Sequence, residues 1–335
     1  MPVLVAGLAV VTLVAAFLPY GGQHTASQAA VRAPSWGVYA GPGAKGVRGA
    51  EEFATTTHAP ISRVLDFLPD ETWSAMTHAD WLIDAHARSA RHLELSVPML
   101  PTRGAATLPR CANGEYNHRW RTIATKLRDA GLQDTTIRPG WEFNGDWYQW
   151  SAAGPGQAAE YVGCFRQLVT TMRSVSPQFT FSWSVNNGHN RLPAELGWPG
   201  GSYVDIVGVD VYDYSSQWYP TPRGMTLAQA RGRTWDTALN SPRGLRFWSD
   251  FARTHGKPLA LSEWGLAWRA NGQAGGDNTL FLDQLVGFVR NPANGVAYAT
   301  YFNSVDTPAL KHNLLHPQTK FPNGFQRLRQ LMAPR

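Results

Sequence analysis

Residues 135–150 read TTIRPGWEFNGDWYQW. Thr135, Thr136 and Ile137 favour a strand, and Pro139 with Gly140 opposes a helix. A carboxylate, Glu142, arrives where that strand is expected to stop. Asn144, Gly145, Asp146, Trp147, Tyr148 and Trp150 follow it. Apart from the aspartate, this lip suits stacking on, or hydrogen bonding to, a neutral polyol.

A second stretch answers the first. Residues 257–266 read KPLALSEWGL, in which the apolar run Leu259-Ala260-Leu261 carries Glu263 to its end, with Trp264 beside it. Two glutamates, each at the exit of a buried strand and each next to a Trp, call for one explanation. If both strands belong to one parallel barrel, their C-terminal ends open onto the face where active sites of that fold lie.

Outward from these two stretches the pattern repeats. Strand-like runs are predicted at 35–41, 64–69, 92–101, 135–144, 179–187, 204–213, 258–265 and 296–304. Helical stretches are predicted between them at 73–90, 116–130, 157–175, 245–255 and 280–290. Residues 215–242 read as a long loop with a short helix, placed to wall a cleft. Strands alternating with helices give an α/β class and a single (β/α)8 TIM barrel over residues 31–335. A doubly wound open sheet is the other arrangement of such units, but no glycine-rich phosphate loop follows the first strand.

The chain has 335 residues, 43% of them hydrophobic, enough to bury one large core. Its 14 Trp exceed what core packing ordinarily calls for, and the excess suits sugar platforms or an interaction surface. The net charge is +6, yet only 16% of residues are charged and no run of Lys or Arg exceeds two. That is not the clustered footprint of a nucleic-acid binder. Residues 3–18, VLVAGLAVVTLVAAFL, are marginal for a spanning helix and suited to a signal-peptide core. Residues 1–30 are therefore expected to be a signal peptide, or an anchor if uncleaved, and the product secreted or extracytoplasmic. Cys111 and Cys164 are then candidates for one disulfide, with two unpaired thiols as the other reading. No metal-ligand spacing, zincin helix or nucleophile elbow is present, so neither metal nor cofactor is expected.

The chemistry that fits paired glutamates is glycoside hydrolysis. A retaining pair lies about 5–5.5 Å apart, one carboxyl protonated to help the leaving oxygen and the other ionised to attack the sugar. Their surroundings must therefore differ. Side-chain alternation puts Arg138 on the same side of its strand as Glu142, so Arg138 is placed either to hold the nucleophile or to pair with an interior acid such as Asp210. Asn144, Asn186 and Asn187 stand at strand exits, suited to sugar hydroxyls or to turns. Trp147, Trp150 and Trp264 are candidate stacking platforms, as are Trp36 and Trp183. Asp205, Asp210 and Asp213 do not form a hard-cation pattern.

WEFNGDWYQW resembles the acid/base motif of glycoside hydrolase family 26, and SEWG resembles its nucleophile segment. The resemblance spans about residues 35–305 in strand layout, with VDVYD on the sixth strand as its third specific motif. It implies a retaining (β/α)8 hydrolase with acid/base Glu142, nucleophile Glu263, a sugar-stacking Trp147, and Tyr212 near the nucleophile. Mannanases of that family usually carry His immediately before the acid; this chain has Trp141 there. The departure bears on mannan more than on glycosidase. The expectation is a monomeric endo-β-glycanase acting on polysaccharide, mannan favoured, with mixed-linkage glucan or xylan as alternatives. A non-catalytic carbohydrate-binding barrel is the rival of another class.

Overall fold

Every apolar run singled out in the sequence becomes a strand of one sheet. The structure is a computed structural model that describes residues 33–188, 192–304, 307–315 and 319–333. The strands are β1 (Ser35–Tyr39), β2 (Ile61–Phe67), β3 (His92–Val97), β4 (Thr136–Pro139), β5 (Thr180–Asn186), β6 (Ile206–Tyr212) and β7 (Leu259–Gly265). A short ribbon of β8 (Trp268–Arg269) and β10 (Leu310–Lys311) flanks the last barrel strand, β9 (Val296–Phe302). All eight barrel strands pair in parallel, and β9 closes on β1. The barrel expected from the sequence is the barrel observed. The expected signal segment lies outside the described residues, and no described helix is long and apolar enough to cross a membrane.

Alternation explains the layering. Leu93, Leu95 and Val97 of β3 join the apolar layer beneath the helices. Glu94 and Ser96, between them, meet side chains from across the barrel. The barrel interior is consequently polar. In its lower layer Tyr298 donates to Glu94 at 2.7 Å, and the Arg63 guanidinium lies 4.0 Å over the Tyr298 ring while donating to Thr136 at 2.9 Å. Buried polar groups persist only when partnered, so this layer fixes the barrel's register as well as filling it.

The helices depart from expectation in instructive ways. The single helix expected over 73–90 is two, α2 (Trp73–Thr77) and α3 (Asp80–Ala87), preceded by α1 (Gly43–Thr57). The break follows Thr77 and His78, whose side chains bond back to the carbonyls of Trp73 at 2.8 Å and Ser74 at 2.9 Å. Such local bonds compete with helix continuation. The α1 helix was not anticipated, because its sequence holds three glycines and ends in three threonines. Next come α4 (Leu108–Ala112), α5 (Asn117–Asp129) and α6 (Pro155–Arg173). The expected loop over 215–242 contains a full helix, α7 (Leu227–Asn240), started by a capping box of Thr226 and Gln229. Then follow α8 (Leu245–Thr254), α9 (Thr279–Arg290) and α10 (Pro322–Met332).

Cys111 on α4 and Cys164 on α6 are joined by a disulfide, with Cα atoms 4.8 Å apart and a sequence separation of 53. A loop of that length gives the bond a stabilisation of about 2–5 kcal/mol, chiefly through the unfolded chain. The Cys111→Ser/Cys164→Ser double variant should therefore unfold at lower urea than the wild type, with an unchanged circular dichroism spectrum. An unchanged urea midpoint would mean that packing between α4 and α6 carries the contact unaided.

Candidate active site

Beyond Pro139 the chain cannot continue as strand, because Gly140 and Glu142 both take left-handed backbone conformations, φ +49° and +52°. This is why β4 is shorter than the expected 135–144. At Gly140 a Cβ would stand 2.2 Å from the Met99 sulfur, so the turn requires glycine. At Glu142 the conformation is strained for a side-chain-bearing residue, at a cost of about 1–3 kcal/mol. It is held by the Glu142 N–H donating to Ser184 O and by Gly145 N–H donating to Glu142 O, each at 3.0 Å. The carboxyl is thereby aimed into the barrel mouth rather than continuing the pleat.

Glu263 reaches the same mouth by a different device. Leu261 pairs with Val209, but Glu263 pairs with Asp210, so Ser262 is an extra residue in β7. A bulge of this kind puts two consecutive side chains on one face. Ser262 meets the Ser184 hydroxyl at 3.3 Å and Glu263 meets Arg138, both inside. Trp264 is turned outward, buried against Trp36 and Tyr301 at ring-centroid distances of 6.3 and 4.9 Å. It is core, and the expectation that it binds substrate is corrected.

The fully buried Arg138 organises the charges. Its Nη1 donates to Glu263 Oε1 at 2.6 Å and to Ser96 at 3.1 Å, its Nε donates to Ser184 at 3.0 Å, and its Nη2 donates to Asp210. Both readings of Arg138 hold together: it pairs with Asp210 and holds Glu263. Burial pulls the guanidinium down, but the charges of Asp210 and Glu263 outweigh it and keep Arg138 above its ordinary value. The other Glu263 oxygen accepts from the Tyr212 hydroxyl at 2.6 Å. Glu263 is thus gripped by a cation and a phenol.

Among the described residues, no cation contacts Glu142. Its Oε1 accepts from Asn186 Nδ2 at 2.6 Å and its Oε2 from Trp147 Nε1 at 2.9 Å. Burial pushes its carboxyl up to about 7 and the negative charge of Glu263 pushes the same way, against the Asn186 and Trp147 hydrogen bonds and the more distant charge of Arg138. The two acids therefore sit within each other's field in unlike surroundings, one held by a cation and one able to keep a proton near neutrality.

The remaining candidates divide. Trp147 lies beside the acid and is 49% exposed. Asn144 is buried, and both its side-chain groups bond the Asn186 backbone at 2.9 Å, so it positions Asn186 rather than reaching a ligand. Asn187 gives its side-chain N–H to the Ala238 carbonyl at 3.0 Å, tying the exit of β5 to α7. Trp150 is fully buried, donates to Trp141 O and stacks on Tyr148 at 4.5 Å, so no sugar can lie on it. Trp183 is likewise buried, against Trp198 and Trp248. Asp205 pairs with Arg173, and Asp213 accepts from Asn278 and Tyr219, so the alternating aspartates serve separate contacts. Tyr148 of the lip has its hydroxyl accepting from Trp141 Nε1 at 2.8 Å, and one partner had no signal in the sequence: His312, whose ring lies 4.6 Å from that of Tyr212.

Removing Arg138 would leave two carboxylates buried without their cation. Breaking a buried pair from one side costs about 3–5 kcal/mol, so Arg138→Gln should lower the urea midpoint sharply, and Asp210→Asn in the same chain should restore part of the loss. An Arg138→Gln protein as stable as the wild type would show that this cluster does not hold the mouth together.

The profile of glycosyl hydrolase family 26 matches residues 115–224, the segment from α5 through β6 that contains Glu142. Endoglucanase H of Acetivibrio thermocellus is 23% identical over 203 residues, covering 57% of this chain and 20% of that protein. A mannan endo-1,4-beta-mannosidase of Bifidobacterium adolescentis is 26% identical over 199 residues, covering 50% of this chain and 20% of its own length. The chain thus spans about a fifth of the length of these curated relatives. Among solved structures, a Cellulomonas fimi endo-beta-1,4-mannanase superposes with a TM-score of 0.64 at 18% identity, over 91% of this chain and 71% of that one. The catalytic domain of a Bacillus sp. JAMB-750 family 26 endo-beta-1,4-mannanase gives 0.62 at 16%, over 90% and 87%. The resemblance to glycosyl hydrolase family 26 read from WEFNGDWYQW and SEWG therefore stands, on the family profile across Glu142 and on the barrel that carries both glutamates.

Proposed function

We propose that this chain is a retaining endo-β-glycanase that cleaves β-linked polysaccharide by double displacement. The observation that carries the reading is the unlike holding of two acids at one barrel mouth. Glu263 is fixed by Arg138 and Tyr212, while the described contacts of Glu142 are neutral donors and its carboxyl is pushed up to about 7. In the first step Glu263 attacks the anomeric carbon while Glu142 gives its proton to the departing oxygen. In the second, Glu142 takes a proton from water, which displaces Glu263 from the sugar. β-Mannan is the favoured substrate, supported by the activity named for the Bifidobacterium relative. A glucan is the second reading, supported by the endoglucanase name of the Acetivibrio relative and by Trp141 in place of the family mannanases' His. The Cys111–Cys164 disulfide supports an oxidising, extracytoplasmic location. A non-catalytic sugar-binding barrel has no need of a strained Glu142.

The test is digestion of mannan, mixed-linkage glucan and xylan by wild type, Glu142→Gln and Glu263→Gln, with product sizing and NMR of the fresh reducing end. The expected result is short oligosaccharides of retained anomeric configuration and a loss of about 10²-fold or more in each variant. Product of inverted configuration, or equal rates in all three proteins, would overturn the mechanism.

The pH profile follows from the sign of the Glu142 shift. A carboxyl raised to about 7 keeps its proton below that pH and loses it above, so the acid is disabled as pH rises. kcat/KM should fall about tenfold per unit above roughly pH 7, and this basic limb should vanish on an aryl glycoside whose leaving group needs no protonation.

A further inference from the structure

The two donors that hold Glu142 differ in freedom. Asn186 is locked into the exit of β5, since Asn144 bonds both its backbone N–H and its C=O. Trp147 stands on the loop after β4, half-exposed, fixed at its inner edge by the 2.9 Å bond to Glu142 Oε2. Its ring lies over Gly145, where a Cβ would come within 2.3 Å of the indole, so the pose exists because residue 145 has no side chain. With Oε1 taken by the locked Asn186, Oε2 is the oxygen left for a leaving group. Yet in the free site that oxygen already accepts from the indole.

The chemistry of an acid makes this arrangement unstable once substrate arrives. An indole N–H only donates, and so favours the charged carboxylate. A general acid must carry its proton on the oxygen facing the leaving group, and a protonated carboxyl oxygen is a poor acceptor. The working form of Glu142 and the Trp147 bond therefore exclude one another. We propose that Trp147 is a substrate-displaced donor: its N–H holds Glu142 Oε2 in the free protein and gives it up when a saccharide ring covers the indole.

This inference rests on Glu142 being the acid/base. Its consequence is a coupling between binding and proton loading: covering the indole removes a donor to the anion, and Glu142 takes a proton from solvent as the sugar seats. By linkage, protonating Glu142 frees the indole and tightens sugar binding by the same factor. The other charged or titratable groups acting on Glu142 are Glu263 from β7, Arg138 from β4, Asp210 from β6 and Tyr148 from its own loop.

Trp147→Phe tests it, since it keeps a flat ring and removes the donor. The Glu142 carboxyl is followed by carbon-13 NMR in the free protein, assigned by difference from Glu142→Gln. Its midpoint should rise by about half a pH unit or more in Trp147→Phe. Gly145→Ala, which displaces the indole while leaving its N–H in the protein, should raise it in the same direction. On whichever polymer the wild type cleaves, the basic limb of kcat should lie above that of kcat/KM, and in Trp147→Phe the two should coincide at the higher value. Equal midpoints in wild type and Trp147→Phe, or coincident limbs in the wild type, would overturn the proposal. If no polymer is cleaved, the hydrolase reading fails. The coupling is then decided in the wild type by adding β-1,4-linked tetraoses of mannose, glucose and xylose: an unmoved Glu142 midpoint with a bound tetraose refutes it.

Discussion

One guanidinium sits between two buried carboxylates, and the mouth of this barrel depends on that contact. Every nitrogen of Arg138 is directed: Nε at Ser184, Nη1 at Ser96 and Glu263, Nη2 at Asp210. A lysine has no such planar fork and would serve one acid while leaving the other buried without its charge. The fork also fixes geometry. With one oxygen on Arg138 and the other on Tyr212, the Glu263 carboxylate is held in one orientation at the mouth. Because the cation is taken on that side, Glu142 is left to neutral donors. The division of labour between the two acids follows from where one arginine side chain ends.

The sequence made the scaffold legible because apolar runs and their spacing are sufficient to count strands, and eight strands separated by helices have few ways to pack. It also brought Glu142 and Glu263 to one face, since both stand at strand exits. What it could not reveal was how each carboxyl turns inward. In β7 simple alternation from Leu261 would send Glu263 outward with it, and only the bulge at Ser262 reverses this. Adjacency points the opposite way: Trp264, next to Glu263 along the chain, is on the other face of the sheet. At β4 the left-handed Glu142 ends the ladder early, and nothing local in the sequence marks a strained residue other than its neighbour Gly140. The α1 helix is hidden by its glycines and threonines, and the short helix expected within 215–242 is longer than expected, α7 running over Leu227–Asn240.

The aromatic content divides between the core and the surface. Of the 14 Trp, seven are buried, among them Trp150, Trp183 and Trp264. Several of these lie in the layer between strands and helices, where Trp183 meets Trp198, Trp248 and Phe251. A polar barrel interior explains why. Arg138, Asp210, Glu94 and the serines occupy volume that other barrels fill with branched apolar side chains. Apolar burial is thereby concentrated in the outer layer, where large rings fill the widening gap between a cylindrical sheet and its helices. Composition reports how much aromatic surface a chain holds, not which side of a sheet receives it.

The residue before the acid shows how a departure from a family pattern can be absorbed. Trp141 is buried against Phe67, Tyr148 and Trp150, and its N–H is given to the Tyr148 hydroxyl, so it presents no hydrogen bond to a ligand. Accepting that bond leaves the phenol its own proton to donate. Tyr148 is only half-buried and close enough to Glu142 and Glu263 for both charges to raise its proton affinity, after burial itself. The hydroxyl that Trp141 holds in place thus stands seven residues further along the same loop.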